Sequence, residues 1–166
     1  RNKPTAERAK RIFDGVVSPD RTEALAKFLP ALQLKGNAEA GRLVYTMLCA
    51  ECHAPDKQLG PDLRSITDRS REGLLASIID PSRQVDPKYI AYTAVFNDGR
   101  AMVGIIGSES GESLQIKVPG AGDQSINRSQ LKSLTSLDQS LMPNGLEAGL
   151  TPKNIADLLQ FLQTDK

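Results

Sequence analysis

The stretch CAECH, Cys49 to His53, holds both cysteines and the only histidine of the chain. Thiols and an imidazole used for packing would scatter, whereas three such groups within five consecutive positions point to one shared task. The residues ahead of them read NAEAGRLVYTML. Asn37 is a suitable N-cap, and Ala40, Leu43, Val44, Met47 and Leu48 recur at helical spacing as one apolar face. The motif is therefore expected to follow directly on an amphipathic helix, and this position governs how it is read.

Cys-x-x-Cys-His is the attachment signature of c-type heme. At a helix end, two thiols three positions apart reach the two vinyl groups of one porphyrin, and the next side chain offers its imidazole to the iron. A structural zinc site needs a fourth ligand from a second Cys or His pair, which the chain lacks. A thioredoxin-type dithiol belongs at the start of a helix that follows a strand, the reverse of the order here. Two structural cysteines beside a chance histidine are the plainest alternative. The scarcity of aromatic residues, 4% with no tryptophan, leaves an aliphatic core unless a flat apolar group is supplied from outside.

Heme iron takes a second ligand or keeps an open position; with no second histidine, the candidates for a ligand are three methionines. Met47 lies two residues before Cys49, so the chain would have to double back. Met102 falls in an expected hairpin, where sheet packing explains it equally well. Met142 lies in the irregular Leu141-Met142-Pro143-Asn144-Gly145 loop, where proline restrains the backbone around the thioether. Met142 is the favoured candidate. The loop Gly60-Pro61-Asp62-Leu63 follows the motif closely; it is either an ordinary turn or a support in which the Pro61 carbonyl accepts from the ring of His53. Pro61 and Leu63 are accordingly expected among the heme-binding residues.

Around these motifs the chain divides by period. Helical spacing is expected over Pro4 to Val17, from Ser18-Pro19-Asp20 to Leu29, through REGLLASIID up to Pro81, and in a final helix opened by Thr151-Pro152. From Lys88 the period becomes two. Asp98-Gly99 predicts a hairpin with a type I′ turn, Gly111 a second turn, and Gln124 to Arg128 a further strand, so an antiparallel sheet is expected over about 88–128. Residues after it read as irregular until Thr151. A formal charge of +1 gives no electrostatic case for nucleic acid or an anionic membrane, and no apolar run approaches a membrane span. No signal-peptide pattern is present, and a start at Arg1 suits either a mature product or a piece of something longer.

The helix into Cys49-Ala50-Glu51-Cys52-His53, the Gly60-Pro61-Asp62-Leu63 loop, the Leu141-Met142-Pro143 loop and the closing helix together resemble class I c-type cytochromes. Asp80-Pro81-Ser82-Arg83, Asp86-Pro87-Lys88-Tyr89, Asp98-Gly99-Arg100 and the run from Ser140 to Glu147 look most like the planctomycete-type heme-binding domain found at the C-terminal end of large dehydrogenase-like proteins. The resemblance covers about 36–166 and leaves 1–35 as a helical extension or linker. It implies a mainly α cytochrome c fold with a small β insertion, heme c with His53 and Met142 on the iron, and one-electron transfer in the periplasm or another extracytoplasmic space. It also implies a redox protein or dehydrogenase domain as donor or acceptor. The alternative is a heme enzyme or small-ligand sensor in which Met142 is displaced. The sheet would cover the heme edge, or present Arg83, Tyr89, Tyr92 and Arg100 as propionate donors.

Overall fold

The computed structural model describes residues 21–165, so the helix expected over 4–17 and the opening of the next one lie outside the described residues. Helix α1 spans Thr22–Phe28 and passes into a 3-10 turn, Leu29–Leu32. Helix α2, Ala38–Leu48, starts as anticipated: the Asn37 side chain accepts from the amides of Glu39 and Ala40. After Cys49 a single turn, α3, covers Ala50–His53. Helix α4, Arg71–Ile79, is capped by Ser70. Helix α5, Pro152–Thr164, is capped by Thr151 and Asn154, which satisfy each other's backbone amides.

These helices share one core. Leu25, Phe28, Val44, Leu75, Ile155 and Leu159 are buried together, so residues 22–32 belong to the same packed unit as the helices that follow. α2 and α5 cross closely: a β-carbon at Gly41 would collide with the Asp157 backbone carbonyl, and the Tyr45 and Phe161 rings lie 5.3 Å apart at the same crossing. α2 consequently buries Gly41 and Val44 and half-buries Tyr45, leaving Leu43 61% and Met47 72% exposed. The apolar face read from side-chain hydropathy is therefore rotated from the one the molecule buries. Glycine marks the line of closest approach, and hydropathy gives it little weight.

The mainly α cytochrome c fold with a small β insertion is overturned by the rest of the chain, which is of mixed α and β class. Strands β1 (Ile90–Phe96), β2 (Ala101–Glu109), β3 (Ser113–Val118), β4 (Gly122–Asn127) and β5 (Leu131–Ser140) form one five-stranded antiparallel sheet in the order β4-β3-β2-β1-β5. The sheet has a core of its own. Ala94, Phe96, Ile116 and Ile126 are buried together, with Met102, Leu131 and Leu134 packed against them. Residues from both edge strands meet in that cluster, so the sheet curls until its two margins share one apolar interior.

Strand β5 was the part not anticipated, and two irregularities explain why. Val95 pairs with Ser133 and Phe96 with Leu131, so an extra residue on β5 places Leu131 and Leu134 on the same face despite their spacing of three. A larger shift lies between Tyr92–Ser136 and Ile90–Ser140, around Asp138 with its positive φ of 51°. A strand bulged twice loses the alternation by which strands are read. The hairpin turn also differs in type: φ is positive at Gly99 (88°) but not at Asp98, Gly99 N–H donates to the Phe96 carbonyl and Phe96 N–H to that of Arg100. This is a type I turn closed by a glycine bulge rather than type I′.

Candidate functional site

Helix α2 delivers Cys49 at its end, and α3 carries Cys52 and His53 one turn later. The turn is secured by the amides of Cys52 and His53, both donating to the Cys49 carbonyl at 3.1 and 2.9 Å. Both thiols are unpaired and half-buried, and Cys49 packs against the helical core. Burial pushes the Cys49 thiol up to about 11, with a smaller push from Cys52; burial likewise raises Cys52, with Glu51 adding to it. A dithiol oxidoreductase needs the opposite, a thiol whose ionisation is made easier. The electrostatics thus disfavour redox chemistry at the sulfurs themselves.

His53 Nδ1 lies 2.8 Å from the Pro61 carbonyl. A carbonyl only accepts, so Nδ1 carries the proton and the lone pair resides on Nε2, which among the described residues has no hydrogen-bond partner. Burial lowers the pKa of the ring, partly offset by the Pro61 bond, which favours the neutral, ligating form. Gly60 makes this approach feasible: a β-carbon there would stand 2.6 Å from Cε1 of His53. The Gly60 amide in turn donates to the Cys52 carbonyl at 3.0 Å, closing the loop back onto the motif. Leu63 does not lie beside His53 in any contact described; it packs against the helical core.

Of the three methionines, Met47 faces solvent on α2 and Met102 is committed to the sheet core. Met142 is half-buried in the loop after β5, its amide donating to Ser140 Oγ at 3.1 Å, while the Ser140 amide donates to Ser82 Oγ at 3.2 Å. No hydrogen bond joins Met142 to His53 among the described residues. Arg100 pairs with Asp98 at 2.7 Å at the exposed hairpin tip and stacks over Phe96, Arg83 is exposed, and Tyr92 lies on the sheet face of Ala94 and Phe96. Tyr89 alone of the four candidate donors lines the cleft of about 400 Å³ bounded by Ala54, Pro55, Gly60, Ile105 and Lys117. Lys117, unforeseen in the sequence, crosses this region from β3 to Gln58 Oε1 at 3.4 Å and also holds Asp123 at 3.2 Å.

Among the described residues no group of three or more His, Cys, Asp or Glu side chains is placed to hold a metal ion, as a zinc site of that kind would require. A heme asks for something else: two thiols and one oriented imidazole from the chain, with a thioether as fourth contributor. The thiol pair, the proton on Nδ1 and the glycine pressed against the ring suit that requirement. No described helix is long and apolar enough to cross a membrane. No family model matches the chain, and no curated protein matches it significantly.

Proposed function

We propose that the chain is a one-electron carrier in which Cys49 and Cys52 would hold a covalently attached heme c and His53 and Met142 would ligate its iron. When bound, the heme supplies the ferrous–ferric couple, and the chain sets its poise through the thioether ligand, the hydrogen bonding of the imidazole and burial. The observation that carries the reading is the bond from His53 Nδ1 to Pro61. It fixes the tautomer and the ring plane and leaves Nε2 as a ligand, the arrangement found behind metal-bound histidines generally. The placement of Met47 in solvent and Met102 in the sheet core supports Met142 as the second ligand.

A carrier of this kind would serve a redox protein or dehydrogenase domain outside the cytoplasm, where thioether attachment takes place. The deciding measurement is on protein matured in an oxidising compartment. Heme should resist acid–acetone extraction, and Cys49→Ala with Cys52→Ala should leave it extractable or absent. Met142→Ala should abolish the thioether-to-ferric-iron absorption band and lower the midpoint potential, whereas Met102→Leu should do neither. Complete release of heme from the unmodified protein overturns the proposal.

A further inference from the structure

Among the described residues three carboxylates, Asp80, Glu147 and Asp157, are buried where surface groups would be expected. One, Glu147, lies five positions after Met142 and pairs with Arg21 at the very start of α1. The same guanidinium donates through Nε to the carbonyl of Ile79, the last residue of α4, at 2.8 Å. One side chain therefore ties together the start of α1, the end of α4 and the loop that carries Met142. The loop leaves little slack between tether and methionine. Gly145 turns with φ at +91°, Ala148 N–H donates to its carbonyl at 3.0 Å, and Leu150 N–H donates to that of Glu147 at 2.9 Å.

The pair is poorly arranged for stability alone. Among the described residues Glu147 Oε2 is buried without a hydrogen-bond partner, a costly arrangement that an apolar pair of similar volume would avoid. What the charged pair supplies, and an apolar pair would not, is direction: Glu147 is held at one angle to a guanidinium that is itself held by Ile79.

We infer that Arg21 and Glu147 are positioning residues that hold the Met142 loop closed, and so set how readily an external ligand displaces the thioether from the iron. This rests on the reading of Met142 as an axial ligand. Upstream, the hydrogen bonds described for the loop run to the serine hydroxyls of Ser82 and Ser140. The downstream tether is the charged one, and it is anchored to the helical core rather than to the sheet.

The test uses the full chain matured with heme and compares wild type with the double variant Arg21→Met/Glu147→Leu, which fills the same space without a buried charge. Two readouts are taken: the rate at which imidazole replaces the native ligand on the ferric protein, and backbone hydrogen exchange over residues 141–150. The double variant should bind imidazole at least about tenfold faster, exchange faster over 141–150, and keep its exchange unchanged over 38–53. If it does not mature, Glu147→Gln, which keeps an acceptor for Arg21 but no charge, should move both readouts in the same direction. A wild type that shows the thioether band, with both readouts unmoved in the variants, overturns the inference and leaves Met142 ligation standing. Absence of that band in wild type overturns the ligation reading and the inference with it.

Discussion

The helical half and the sheet solve the same problem, burying apolar surface, by different means. The helices press backbones together at Gly41, admit Asp80, Glu147 and Asp157 to the interior, and carry Cys49, Cys52 and His53 on their own frame. The sheet excludes charge from its interior and buries apolar residues by curling upon itself. Among the described residues, side-chain hydrogen bonds between the halves are few: Lys117 to Gln58, and the Ser140 amide to Ser82. The polar interior belongs to the half where positions must be fixed, which is consistent with buried polar groups defining geometry rather than adding stability.

The most severe way to break the comparison is at the helix crossing. Gly41→Val would drive its side chain into the Asp157 carbonyl and the Phe161 side chain. A loss of about 3 kcal/mol or more is expected in urea denaturation, larger than ordinary overpacking because backbone must move. Hydrogen exchange should show the damage in α2 and α5 while β1 to β3 stay protected. Equal loss of protection in the strands would mean that the halves do not fold as separable units.

The converse substitution lies in the sheet. Ile116 is fully buried, so Ile116→Ala should cost about 2–4 kcal/mol and open β2, β3 and β4 to exchange, yet leave the proposed heme attachment at Cys49 and Cys52 unchanged. Failure of attachment in this variant would give the sheet a part in assembling the site.

The smallest effect sharpens the comparison by pH. In the heme-free chain, burial holds the His53 pKa below its unfolded value of about 6.5. Proton uptake thus favours the unfolded state, so stability is greatest above that value and falls as pH drops from about 6.5 toward the folded pKa. Denaturation followed between pH 8 and pH 5 should show this fall in wild type and a weaker one in His53→Gln. An identical profile in both would show that the ring does not sense its burial.

What was legible in the chain follows the same division. Caps are local, so Asn37 and Thr151 announced their helices, and the unusual clustering of Cys49, Cys52 and His53 announced the candidate site. The link from His53 to Pro61 could be anticipated because it spans only eight positions. Contacts made across the whole chain left no such trace: nothing beside Glu147 in the sequence points to Arg21, 126 positions away. Strand β5 was hidden for a local reason, since its bulges put Leu131 and Leu134 on one face and removed the alternation. The fold class was misjudged with it, because a sheet lacking that strand looks like a minor addition to helices.

The first residue of β1, Ile90, pairs with the last residue of β5, Ser140, so the backbone leaves the sheet beside the point where it enters. Paired antiparallel residues stand about 5 Å apart, a gap that two or three residues of linker would close. In topological terms residues 90–140 are a removable loop on a chain whose helical segments lie on either side. A lineage could gain, exchange or discard such a module in one step, without moving the cysteines or the final helix.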